Sequence, residues 1–183
     1  MTKSWQMPKH DGNFMKIVTD KTPKVDVNAI LTAEEIAGID EYIHHYPQPR
    51  AAVLDALKLV QKRNGWVDDA QVAAIANMLS IAVTDVEGVA TFFNRIYRSP
   101  VGRHVILICD SIACYLTGYE ALSDEFKRTL GIDFGQTTPD GRFTLLPICC
   151  LGNCDKGTSI LIDEDTYGSV TPQDVPLLLE QYL

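Results

Sequence analysis

All five cysteines of this 183-residue chain fall between positions 109 and 154. "CDSIAC" holds Cys109 and Cys114, and "PICCLGNC" holds Cys149, Cys150 and Cys154. Thiols this concentrated ask for a common ligand or for chemistry of their own, and the fold must bring two distant segments together to serve them. The odd count argues against a secreted disulfide framework. No secretory h-region is recognisable, and the first 25 residues carry lysine but no arginine, with Asp11 and Asp20, unlike a transit peptide. The thiols are therefore read as reduced and cytosolic, where clustered cysteines more often bind metal or react than hold structure.

The secondary-structure signals divide the chain near residue 100. Residues 1–29 lack sustained periodicity and read as an extension, mobile or folded only onto a partner. Residues 30–99 read as a helical bundle. Its first helix starts with a capping box, Thr32 with Glu35, and a hydrophobic staple of Leu31 with Ile36. It runs through Ile39 and Ile43 to the proline of "YPQPR". A second helix spans about Arg50 to Asn64, and a third Asp69 to Leu79. A fourth opens on a further box, Thr84 with Glu87, and buries Val86, Val89, Ala90 and Phe93.

Residues 100–183 change character. "HVILIC" is a short apolar run, read as a buried strand. A single helix follows from about Leu116 to Leu130. "RFTLLPIC", "SILID" and "YGSVT" read as three more strands, with the acidic turn "DEDTYG" before the last. Thr171 caps a final helix with Pro172 in its first turn. The order β-α-β-β-β-α predicts a small mixed sheet with helices packed on it, and the whole chain is α+β.

On this map Cys109 ends the first strand, Cys149 and Cys150 end the second, and the others lie in the segments that follow. Sites in open α/β sheets form beyond the carboxyl ends of strands, so both groups are expected at one sheet edge. Cys109 and Cys114 are spaced C-x4-C, and Cys150 and Cys154 C-x3-C, with 35 residues between the pairs. A zinc ribbon more often uses C-x2-C knuckles. The wider pairs suit a [2Fe–2S] rhomb, whose two irons each take two cysteines. Zinc, thiol redox chemistry and simple packing stand behind it, in that order. Spacing does not settle the ligands, because Cys149 with Cys154 is also C-x4-C.

Composition narrows the partners. A net charge of −8 disfavours nucleic acid and anionic membrane surfaces, since both need a basic face. No apolar run has the length of about 18 residues that a membrane span requires. His44 and His45 read as solvated, His104 as a surface or core histidine, and the acidic turn as solvated rather than a cation site. Trp66, Phe92 and Phe93 read as core or partner-facing anchors. No G-x-G-x-x-G, P-loop or G-x-S-x-G occurs.

"CDSIAC", "DGRFTLLPICCLGNC" and "GWVDDAQVAAIANMLSI…DVEGVATFF" together resemble the small [2Fe–2S] flavoprotein-arm subunit family of NADH:quinone oxidoreductase, respiratory complex I, from about residue 31 onward. Related chains serve NAD-reducing hydrogenases and NAD-dependent formate dehydrogenases. The resemblance implies a four-helix bundle followed by a thioredoxin-like domain, with one [2Fe–2S] cluster on Cys109, Cys114, Cys150 and Cys154. Cys149 falls outside that ligand pattern and is expected to be a small buried or half-buried residue. NADH and FMN are expected on a neighbouring flavoprotein subunit, among other peripheral-arm subunits. The implied location is the peripheral arm of an inner-membrane complex, on the cytoplasmic side, with no direct membrane insertion. After Cys154 many relatives read Gly-Asp-Ala-Pro, where this chain has Asp155, Lys156, Gly157 and Thr158. Charges there tune a reduction potential.

Overall fold

The computed structural model describes residues 24–182. Its contacts divide between Ser99 and Pro100 into two compact units. The reading of positions 1–23 as an extension lies outside the described residues. Order nevertheless begins earlier than the sequence suggested. A four-residue helix, α1 (Val27–Ile30), is capped by the Asp26 carboxylate, which accepts from the Asn28 N–H at 3.1 Å. Val25, Val27 and Ile30 pack against the first unit's core, which is what orders this segment.

The first unit continues with α2 (Ala33–His45), a 3-10 turn at Pro49–Ala52, α3 (Val53–Asn64), α4 (Asp69–Leu79) and α5 (Val83–Phe92). The Thr32–Glu35 capping box forms in full. Thr32 Oγ1 accepts from the Glu35 N–H at 3.2 Å, and Glu35 Oε2 accepts from the Thr32 N–H at 2.8 Å. The expected box at Thr84 does not form. Ala82 is the N-cap of α5, without a side-chain bond, and Glu87 instead pairs with Arg98 at 2.9 Å. A box that the reading missed opens α4, where Asp68 and Gln71 exchange bonds of 2.7 and 2.9 Å. The inward stripes meet in one core that includes Ile39, Leu57, Val60, Ile75, Leu79 and Val86. Phe93 is not part of it. It is 40% exposed and its neighbour Phe92 is 79% exposed, because α5 ends at Phe92 and its buried stripe with it.

The second unit holds β1 (His104–Cys109), α6 (Ile112–Thr117), α7 (Tyr119–Leu130), β2 (Phe143–Ile148), β3 (Ile160–Ile162), β4 (Asp165–Tyr167) and α8 (Val175–Glu180). The sheet order is β2-β1-β3-β4, with β1 parallel to β2 and the other pairs antiparallel. Central β1 is buried from Val105 to Cys109, which explains its unbroken apolar run. Edge strand β2 tolerates Pro147, which is exposed opposite Ile108. Leu122 and Phe126 of α7 join Ile106, Ile108, Leu145 and Val175 in the core.

Three local expectations change. The single helix of 116–130 is two helices, because Gly118 at φ 122° closes α6 and opens α7 in a conformation that other residues rarely adopt. The fourth strand is Asp165–Tyr167 rather than "YGSVT", so the acidic segment is itself a hairpin strand. The Thr171 capping box closes a 3-10 turn, Pro172–Asp174, ahead of α8. Among the described residues, no single helix is long and apolar enough to cross a membrane.

Candidate metal centre

The site follows from the parallel pairing of β1 and β2. Cys109 is the last residue of β1 and stands in register with Ile148, the last of β2. The chain leaving each strand therefore emerges at the same sheet edge. From β1 it turns through Asp110 and Ser111 into α6, which carries Cys114 inward. From β2 it passes Cys149 and Cys150, rounds Gly152, and reaches Cys154 at the start of a 3-10 turn, Cys154–Lys156.

The two pairs differ in setting. Cys109 and Cys114 are 2% and 1% exposed, while Cys150 and Cys154 lie in exposed loop. Cys150 Sγ and Cys154 Sγ are 3.6 Å apart. The Gly152 N–H donates to Cys150 Sγ at 3.4 Å. That bond favours the thiolate and pulls the Cys150 thiol below its ordinary range, helped by contact with Cys154 and by the Ser111 hydroxyl and Cys109. Burial pushes the Cys114 thiol up, and the neighbouring Cys109 thiol adds to it. Cys154 is pushed up by Cys150, with which it shares a hydrogen bond. Cys109 and Cys154 also influence the thiols across the gap between the pairs. The structure thus brings all four expected side chains into one neighbourhood.

Cys149 departs from its expected setting. It is exposed, not buried or half-buried, because the chain has already left the sheet at buried Ile148. Its carbonyl reaches the site and accepts from Cys109 Sγ at 3.8 Å.

The loop is pinned by residues that the sequence did not single out. Ser159 Oγ donates to Asn153 O at 3.2 Å and to Lys156 O at 3.0 Å. The Ser169 N–H donates to Lys156 O at 2.7 Å. Thr158 and Val170 exchange two further bonds. The one sequence signal for this packing was the glycine content of the loop.

The other singled-out residues have local roles. His44 is exposed, its Nδ1 2.7 Å from Asp40 O. His104 Nδ1 lies 2.6 Å from Asp163 Oδ2, and Asp163 Oδ1 accepts from the Val105 N–H at 2.9 Å. Asp165 accepts from the Tyr182 hydroxyl at 2.8 Å. Burial first, then the bonds to Tyr167 and Asp165, push the Tyr182 phenol far up.

Among the described residues, no three His, Cys, Asp or Glu side chains are grouped to hold a single ion. The four thiols stand as two pairs, and four thiolates in two pairs are the donor set that a [2Fe–2S] cluster takes.

Residues 39–183 match the thioredoxin-like [2Fe-2S] ferredoxin family. The E subunit of NADH-quinone oxidoreductase from Pseudomonas aeruginosa is 54% identical over 154 residues, 84% of this chain and 93% of the relative. The protein of the same name from Salmonella typhimurium is 56% identical over 83% of this chain and 92% of its own length. That of Escherichia coli K12 is 55% identical over the same shares. An NAD+-reducing [NiFe]-hydrogenase in the air-oxidized state superposes with a TM-score of 0.62 at 21% identity, covering 72% of this chain and 22% of that one, a likeness of fold. The chain belongs to the thioredoxin-like [2Fe-2S] ferredoxin family, among the relatives of the NADH-quinone oxidoreductase E subunits.

Proposed function

We propose that this chain is the electron-transferring E subunit of an NADH-quinone oxidoreductase, holding one [2Fe–2S] cluster on Cys109, Cys114, Cys150 and Cys154. The observation that carries the reading is the emergence of both cysteine pairs at the shared end of β1 and β2. Family membership supplies the cluster type. A cluster held there by the four thiolates would supply one-electron transfer. The protein's part is to present four thiolates, bury one side of the site and aim an amide at Cys150. The cysteines are ligands in this reading, not acids, bases or nucleophiles, and Cys149 stays out of the ligand set.

The same reading assigns NADH oxidation and FMN to a neighbouring flavoprotein subunit, within electron-transfer distance. It sets the chain in the peripheral arm of the complex, on the cytoplasmic side of the membrane. The names of the relatives support the complex. The particular partner and the side of the membrane follow from the resemblance of the motifs.

The test has two stages. Anaerobically purified full chain is analysed for iron, zinc and acid-labile sulfide, then reduced for EPR. Two irons and two sulfides per chain, with a reduced-state signal, are expected for a [2Fe–2S] centre. A colourless zinc protein sinks the proposal. NADH oxidation by an artificial acceptor is then measured with and without the flavoprotein subunit. Robust activity of the flavin-free chain alone would contradict the carrier role.

A further inference from the structure

Cys114 and Cys154 lie on separate segments, and a contact between those segments sits one turn beyond Cys114 and three residues beyond Cys154. Thr117 is the last residue of α6, and Gly157 follows the 3-10 turn that begins at Cys154. A Cβ on Gly157 would lie 2.8 Å from Thr117 Oγ1, with Ala113 O and C at 3.5 and 3.6 Å. Non-bonded heavy atoms rest at about 3.5 Å, so only the Thr117 contact is a clash.

Neither side yields easily. Thr117 Oγ1 donates to Ala113 O at 3.0 Å and lies 3.2 Å from Cys114 O, so its rotamer is tied to the turn that carries Cys114. Its branched Cβ stiffens it further. The loop is held by the Ser169 and Ser159 bonds to Lys156 O, one residue before Gly157. A Cβ on Gly168 would in turn meet Asn153 Nδ2 and Lys156 Cβ, both at 2.7 Å, so the loop is closely packed there too.

We propose that Gly157 and Thr117 form a size-matched contact that sets the separation of the Cys114 and Cys154 segments. They are positioning residues for the cluster, acting through those two cysteines. The inference rests on the cluster reading above.

The experiment compares full-length wild type, Gly157→Ala, Thr117→Ala and the double variant. Each is assayed for iron and sulfide content, EPR g values, midpoint potential and the rate of iron transfer to a chelator. Disturbing residues that orient metal ligands costs about 10–100-fold in metal affinity, so Gly157→Ala should lose iron at least about tenfold faster, with displaced g values. The double variant should match Thr117→Ala, because removing Oγ1 reopens the space. Among molecules that keep their cluster, g values and midpoint are readouts that a general loss of stability leaves alone. Gly157→Ala indistinguishable from wild type overturns the proposal. So does a double variant as defective as Gly157→Ala, since the damage then does not run through Thr117. A wild-type chain without iron and sulfide overturns the cluster reading instead, and the contact's role with it.

Discussion

The two cysteine pairs are built on opposite physical terms. Cys109 and Cys114 belong to the core of the second unit, one closing its central strand and the other turned inward from a six-residue helix. Cys150 and Cys154 belong to an exposed loop, pinned by hydrogen bonds between side chains and the loop backbone rather than by burial. Burial disfavours a thiolate at Cys114, while an amide favours one at Cys150. On the proposed reading, a cluster held by one pair of each kind would be buried on one side and open on the other, which would suit a centre that exchanges electrons with a neighbour. It also makes the two halves of the site differ in what damages them.

The largest effect should come from the proposed ligands. Cys150→Ser and Cys114→Ser should each lose or badly destabilise the cluster, while Cys149→Ser keeps it. Visible absorption and EPR of purified variants check this. Loss in Cys149→Ser with retention in Cys150→Ser would show that the ligand set is wrong. The metal-free variants sharpen the contrast. Cys114→Ser puts a hydroxyl into a buried site, at about 1–3 kcal/mol if it finds no partner, whereas Cys154→Ser exchanges one exposed polar group for another. Chemical denaturation of the two should therefore differ.

Next comes the support beneath the buried pair. Ile108 is fully buried beside Cys109, so Ile108→Ala should cost about 2–5 kcal/mol in stability. Pro147, its partner in β2, is exposed, and Pro147→Ala should stay within roughly 0.5 kcal/mol. Equal losses in a urea titration would break the picture of a core-borne first pair.

The metal-free protein offers a pH test. A thiol whose pKa is lowered ionises at lower pH, and the thiolate is the species that alkylates. As pH rises, Cys150 should react with iodoacetamide before Cys114, whose pKa is raised. Peptide mapping after timed quenching reads the order. Cys114 labelled at lower pH than Cys150 would reverse the assignment of the two environments.

The smallest effect concerns the exposed loop's charges. Reduction adds one negative charge, so Asp155→Asn should raise the midpoint potential and Lys156→Gln lower it. Both side chains are solvated, which places the shifts at roughly 20–60 mV. An EPR-monitored titration at fixed salt decides. Two unchanged midpoints would mean that solvent screens the loop completely.

Much of this was legible in local sequence. The Thr32–Glu35 box, the inward stripe of α4, the buried run of β1 and the inward face of α8 each rest on periodicity or on contacts three or four residues apart, which the chain carries wherever it goes. The shared sheet edge of the two cysteine segments followed from placing each at the carboxyl end of a strand, and the parallel register of β1 and β2 is what realises it. Some local expectations failed where a partner further along the chain competed, while the 116–130 helix was split by the local conformation of Gly118. Glu87 left the Thr84 box for Arg98, and Val25 and Val27 were ordered by core residues far along the chain.

By itself the sequence determined the family, the α+β class and the density of thiols, because these depend on residue identity and short-range spacing. Tertiary structure alone decided which thiols are buried, which amide meets Cys150, and that Cys149 is exposed while its carbonyl accepts from Cys109. The contact of Gly157 with Thr117 is of the same kind. Forty positions separate them, and only the register of two strands and the pinning of a loop bring them within reach. Close approach is a property of the packed backbone, and no local pattern encodes it.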